Sequence, residues 1–299
     1  MVVELYSGQK AKGKSALATD NSDRVKRARW ESQVGRSCSL GITRRSGARH
    51  LFDCWQEVAR IVDSAKHLGL FLDFDGTLVP LRRRPSDVKP LGPTLQKVLR
   101  RLAADKRINV FVISGRRLRE LHRLVRVRGV QLLGLHGWEG RAVPLLTAER
   151  KLLRIAKQRL DQCLPKTRQI WLEDKGLGLA VHYRSARPGV IRLARAAVEE
   201  VLEAVGRRIH MVQGHKVWEL LPHQIDGKGP VVVAILSHLP SSTLPIVVGD
   251  DTSDESAFGV LRGGLTIHVG AKQHTRARYL LRNPEEVKMF LLKLEAAVR

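Results

Sequence analysis

From about residue 50 onward the chain alternates between two hydrophobic patterns. Short, nearly unbroken apolar runs are followed by stretches in which apolar positions recur every three or four residues, the spacing of one face of a helix. LFDCWQEVARIVDSAKH, beginning at Leu51, has helical spacing and leads into a strand over 69–74. PTLQKVLRRLAAD reads as a helix with Pro93 suited to its first turn, INVFVISG as a buried strand, RRLRELHRLV as a helix and VQLLGLHG as a short strand. Further on, KGPVVVAILSHL reads as a helix, LPIVVGDD as a strand and GLTIHVG as the last strand. NPEEVKMFLLKLEAAV closes the pattern as a helix, with Asn283 as N-cap, Pro284 in the first turn and two early glutamates. Unbroken apolar strands alternating with amphipathic helices predict a parallel α/β sheet covered on both faces.

Residues 139–221 interrupt this rhythm. A helical stretch over 148–163 precedes two strand-like runs, RQIWLEDK and GLGLAVHYR, with a turn at Lys175-Gly176. A helix, GVIRLARAAVEEVLEAV, and two more strand-like runs, RIHMV and KVWELL, complete the segment. It reads as a small α+β domain inserted into an α/β core formed by 51–138 and 222–299.

Composition adds three constraints. The 299 residues are 43% hydrophobic, enough for a large packed core, and contain no apolar run of the ~18 residues that a membrane span needs. Residues 1–50 carry 11 Lys/Arg and four acids with little periodicity, which reads as a poorly ordered basic extension. Arginine-rich, acid-poor leaders also occur as organelle transit peptides, and both readings stand. Cys38, Cys54 and Cys163 share no metal-type spacing and read as thiols in a reducing, cytoplasmic compartment. The formal charge is +24, with 36 Arg against 17 Lys, so the surface attracts anions, phosphorylated metabolites and nucleic acids alike.

The chemistry concentrates where strands end. In LFLDFDGTLVP, Asp73 and Asp75 are two residues apart on a strand and aim their carboxylates to one side. At ~4 Å such charges repel by roughly 4 kcal/mol at an effective dielectric of ~20, so the pair calls for a cation or a shared proton. Another strand ends Ser114-Gly-Arg116, and a third ends GDDTSDE with Asp250, Asp251 and Asp254. Ligands of open parallel sheets lie at the carboxyl ends of the strands, so these segments converge on an oxygen-rich pocket suited to Mg²⁺. Such a pocket suggests phosphate chemistry, with an aspartate nucleophile that becomes phosphorylated, Ser114 Oγ as a donor to phosphoryl oxygens and Lys228 in GKGPVV as a cation.

DFDGTL, VISGR, GKG and GDDTSDE, in that order, resemble the four motifs of the haloacid dehalogenase superfamily of phosphatases. The resemblance implies a Rossmann-like parallel sheet core with an inserted C2-type cap. It also implies Asp73 as nucleophile, Asp75 as general acid/base, and Ser114 and Lys228 as phosphate binders. Asp73, the Asp75 main-chain carbonyl and Asp250 would hold Mg²⁺. Asp251 or Asp254 would support the metal or orient Lys228, with no choice between the two.

The cap carries the substrate reading. LLGLHGWEG, LEDKGLGLAVHYR, GHKVWELLP, GDDTSDESAF and HTRARYLLRNPEEV together resemble trehalose-6-phosphate phosphatases across roughly residues 66–296. That resemblance implies hydrolysis of trehalose 6-phosphate, with Arg116, Glu173, Lys175, Arg184 and Glu219 on the substrate side. Ser253 stands where the family usually reads Thr, and Gly227 where Asn or Asp is common. His136, which also matches the family, is read as a turn residue after a strand. A synthase making the substrate would be a separate chain, since no synthase-type segment is recognisable. Sucrose 6-phosphate and mannosyl-3-phosphoglycerate are the alternative substrates. The alternative from another class is a polyanion-binding protein using the arginines at 116, 117, 119, 123, 126 and 128, which leaves the acidic constellation unexplained.

Overall fold

The computed structural model describes residues 47–140, 147–214, 216–223, 225, 227–261, 263–271 and 274–298, the side chain of Thr147 excepted. Most of the basic extension, residues 1–46, lies outside the described residues.

The core is a seven-stranded sheet built from β1 (Arg49–His50), β2 (His67–Leu72), β3 (Ile108–Ile113), β4 (Gln131–Leu133), β9 (Thr243–Gly249), β10 (Leu265–Val269) and β11 (Tyr279–Leu281). Their order is β1-β11-β10-β9-β2-β3-β4, and every pairing is parallel. The side-chain period of two divides each central strand between two helical layers. Leu70, Leu72, Val110, Val112, Ile246 and Val248 face one layer, which contains α1 (Trp55–Ser64), α2 (Pro93–Ala104), α3 (Leu118–Val125) and α8 (Pro284–Ala297). Phe71, Phe111, Ile113 and Val247 face the other, formed by α6 (Gly229–Leu236) and α7 (Thr252–Val260). Burial on both faces is why these strands are apolar throughout.

The helix-start signals hold where they were read. Asn283 accepts a hydrogen bond from the Glu286 backbone N–H at 3.1 Å, and Pro93 and Pro284 open their helices. The edge of the sheet differs from the sequence reading. GLTIHVG is not the last strand, because Tyr279–Leu281 adds beyond it, and Arg49 and His50, assigned to the extension, pair with Tyr279 and Leu280. A three-residue strand is too short to display a period, so its pairing partner defines it.

The inserted segment forms a second, antiparallel sheet from β5 (Trp171–Asp174), β6 (Leu179–His182), β7 (Ile209–Gly214) and β8 (Val217–Pro222), in the order β5-β6-β8-β7. Leu179, Val181, Trp218 and Leu220 turn one face toward α4 (Thr147–Cys163) and α5 (Pro188–Val205), and a separate apolar core fills the space between. The other face carries Glu173, Ala180 and Glu219 in register across β5, β6 and β8. No helix among the described residues is long and apolar enough to cross a membrane.

Candidate active site

The three motif-bearing strands are neighbours at the centre of the sheet, in the order β9-β2-β3. Asp250, Asp73 and Ser114 each follow the last residue of one of them and so emerge at the same carboxyl edge. Asp73 N–H donates to the Val248 carbonyl at 2.9 Å, extending the β2–β9 ladder to the site itself. Two glycines let the backbones come this close. Gly76 has φ +87°, and a Cβ there would lie 2.1 Å from the Asp250 carboxylate; a Cβ on Gly249 would lie 2.1 Å from the Asp254 carboxyl carbon.

The charges are concentrated and unequal. Buried Lys228 donates to Asp73 Oδ1 and, at 2.8 Å, to Asp254 Oδ1. Thr77, fully buried, donates to Asp250 Oδ1 at 3.2 Å. Asp73, Asp250 and Asp254 each place a carboxylate oxygen within 4.8 Å of the others. Burial pushes Asp73 up from the ordinary carboxylate range, Lys228 opposes this, and Asp254 and Asp75 add to it. Burial also pushes Asp250 up, reinforced by Asp73, Asp254 and Asp251. Lys228 is pulled down by burial, but Asp254 and Asp73 outweigh that and hold the ammonium well above its usual value. One lysine among these carboxylates leaves negative charge uncompensated. A donor set made only of oxygens, without the His or Cys that zinc sites favour, fits a hard cation such as Mg²⁺.

The structure separates Asp251 from Asp254. Asp251 caps α7, its Oδ1 accepting from Thr252 N–H at 2.6 Å, while Asp254 Oδ2 accepts from Asp251 N–H at 3.1 Å in the reciprocal capping arrangement. Asp254 is therefore the carboxylate that holds Lys228. The Asp75 side chain points into a different partnership. Arg116 grips it with two bonds, Nε to Oδ2 at 2.6 Å and Nη2 to Oδ1 at 2.8 Å, and also donates to the Pro85 carbonyl at 3.0 Å. In this arrangement Arg116, read as a substrate residue, is occupied with Asp75. Ser114 Oγ accepts from Arg116 N–H at 3.2 Å.

The open face of the cap sheet supplies the facing wall. Lys175 Nζ donates to Glu219 Oε1 and, at 3.0 Å, to the Gly115 carbonyl of the core. Glu219 Oε2 lies 2.6 Å from His136 Nε2. Burial works against the Glu219 charge, but Lys175 and His136 outweigh it and hold its carboxyl well below the usual range. Glu173 pairs with His182 at 2.9 Å, whose ring stacks on Trp171 at 3.7 Å. Burial pulls the Arg184 guanidinium below its ordinary value against the fields of Asp75, Asp250 and Asp251, which places it on the catalytic side of the cap.

All twelve residues singled out from the sequence lie at or beside this cleft. Two others were under-read. Thr77 stood inside the quoted DFDGTL, yet nothing local said that its hydroxyl would reach Asp250. His136 does occupy a turn, with φ +56° in a short helical turn over Leu135–Gly137, but its ring also ties the core to the cap.

A family model described as trehalose-phosphatase matches residues 71–285 of this chain. A trehalose-phosphate phosphatase of Mycobacterium tuberculosis (strain ATCC 25618 / H37Rv) is 32% identical over 251 residues, covering 79% of this chain and 63% of that protein. One from Mycobacterium avium (strain 104) is 33% identical over 251 residues, covering 75% and 60% respectively. The chain thus spans less than two thirds of the length of these curated relatives. Among solved structures, the C-terminal domain of Candida albicans trehalose-6-phosphate phosphatase shares the fold, with a TM-score of 0.72 at 21% identity, covering 85% of this chain and 100% of that one.

Proposed function

The chain belongs to the trehalose-phosphatase family, and on that premise we propose that it hydrolyses trehalose 6-phosphate to trehalose and inorganic phosphate through a phosphorylated Asp73. The observation that carries this reading is the buried Asp73–Lys228–Asp254 chain at the sheet edge, facing the Lys175–Glu219 pair of the cap.

In the first step Asp73 Oδ attacks phosphorus and the bond from phosphorus to the sugar oxygen breaks, with Asp75 giving its proton to the departing oxygen. In the second, Asp75 takes a proton from water, whose oxygen attacks the phosphorus of phospho-Asp73, releasing phosphate and restoring the carboxylate. Acting as acid requires Asp75 to leave the Arg116 grip, so Arg116 controls when it is available. Lys228 neutralises phosphoryl oxygens and keeps Asp73 in line, with Asp254 holding Lys228. Ser114 Oγ is a further donor to the phosphoryl group.

Asp73 and Asp250, with the Asp75 main-chain carbonyl, are the residues that would hold Mg²⁺, while Asp254 beside them holds Lys228. The ion would supply positive charge against the phosphoryl oxygens and relieve the repulsion among the aspartates. Glu173, Lys175, Arg184 and Glu219 offer charged donors and acceptors to the hydroxyls of a disaccharide. The location consistent with this reading is the cytoplasm, and a separate synthase would supply the substrate. The test is phosphate release from trehalose 6-phosphate, sucrose 6-phosphate, glucose 6-phosphate and mannosyl-3-phosphoglycerate, with and without Mg²⁺. Mg²⁺-dependent release selective for trehalose 6-phosphate supports the proposal; selective release from another ester keeps the core chemistry and replaces the substrate.

A further inference from the structure

A groove of about 900 Å³ opens between the loop after β2, helix α3 and the outer edge of the cap sheet at β5. Its lining includes Arg116 and Glu173, and Arg116 in turn bonds Asp75, so the groove borders the catalytic cleft. Its rim carries Arg84, Arg123, Arg126 and Arg168, all exposed, and none of the four makes an ion pair among the described residues. The two acids of the groove are already engaged: Glu120 faces Arg116 at 3.6 Å, and Glu173 bonds His182 at 2.9 Å. The groove therefore presents a locally uncompensated positive field.

At the far end of that field lies a site with the opposite problem. Asp73, Asp75, Asp250, Asp251 and Asp254 outnumber Lys228 and Arg116, and a phosphate monoester approaching them is repelled at distance. A chain of charge +24 would show some arginines on any face. What distinguishes this groove is that its lining includes Arg116, which holds Asp75, and Glu173 of the cap wall. We propose that the groove is the approach route of the phosphorylated substrate, its arginine rim gathering the anion and offsetting the repulsion of the aspartates.

This rests on the phosphatase reading above, and the molecule contains its own control. A second cleft of about 850 Å³, between the start of α3 and α4, is lined by Arg117, Arg119, Arg150, Arg154 and Lys157 but by neither Arg116 nor Glu173. The experiment compares R123E/R168E with R150E/R154E, which change the net charge equally. At low ionic strength kcat/KM for trehalose 6-phosphate should fall about 10-fold in R123E/R168E, through KM, and converge with the unsubstituted chain in high salt. R150E/R154E should stay within about 2-fold. Equal losses in both variants, or none in R123E/R168E, would overturn the route.

A second readout needs no turnover. Trp171 lines the groove, so the Trp171-dependent part of the fluorescence, defined by subtracting a Trp171→Phe background, should be quenched by iodide more strongly in the unsubstituted chain than in R123E/R168E. Neutral acrylamide should quench both alike. Iodide quenching that is unaltered by the charge reversal overturns the anion-gathering field. If the field is present but no sugar phosphate is turned over, the functional reading fails and the named cargo with it.

Discussion

The two walls of the cleft handle charge in opposite ways. On the core wall, Asp73, Asp250 and Asp254 crowd around one lysine, and burial drives the first two carboxyls upward. On the cap wall, Glu219 is bracketed by Lys175 and His136 and held low, so its charge is matched within the protein. The excess negative charge of the core wall suits a cation, and under the proposed function that cation would in turn offset the charge of the phosphoryl group. The balanced wall has nothing further to neutralise and is suited to uncharged hydroxyls, which exchange hydrogen bonds without adding net charge.

The largest effect expected from breaking this contrast is on turnover. Asp73→Asn should reduce phosphate release by about 10³-fold or more, because no other carboxylate stands in line to replace it. Lys228→Met should cost about 10²-fold or more in kcat. Glu219→Gln should act differently, raising KM and lowering kcat/KM by roughly 10-fold or more while phosphoryl transfer in the core persists; steady-state kinetics on all three separates the walls.

Stability sharpens the comparison, because the two walls should answer with opposite signs. In metal-free buffer at neutral pH, Asp250→Asn removes a repelled carboxylate and should raise the melting temperature even as it destroys activity. Glu219→Gln leaves the buried Lys175 ammonium without its carboxylate and should destabilise by about 3 kcal/mol. Differential scanning calorimetry with and without EDTA reads both changes.

The pH dependence is the smallest and most discriminating effect. Asp73 and Asp250 have folded values above their unfolded ones, so their contribution is fully present below the carboxylate range and is lost as pH rises through the folded values. Glu219 is depressed, so its contribution is present above the ordinary carboxylate range and is lost as pH falls through its folded value. Without metal, stability should therefore decline as pH rises from acid toward neutral, and Mg²⁺ should flatten that decline. Glu219→Gln should remove a loss confined to the acid limb.

The two walls also differed in how much of them the sequence disclosed. Asp73 and Asp250 on the core wall were legible because each follows an apolar strand directly, as in LFLDFD and PIVVGDD, and one rule about strand ends gathers them. Helices α2 and α8 were legible from Pro93, Asn283 and Pro284. The cap residues could be named by resemblance, but their pairings could not. Glu219 and His136 are 83 residues apart, and Asp75 and Arg116 are 41 apart, so only the folded register joins them. The acidic GDDTSDE motif and the start of helix α7 coincide, its Asp251–Asp254 capping box opening the helix within the same residues.

The central claim is that Asp73 attacks the phosphorus. Acid-quenching the enzyme within its first turnover of trehalose 6-phosphate, then mapping peptides by mass spectrometry, tests it directly. The account predicts a hydroxylamine-labile phosphoryl group on the peptide that contains Asp73, absent from Asp73→Asn. Turnover at full rate with that peptide never modified, or with Asp73→Asn still active, would contradict it.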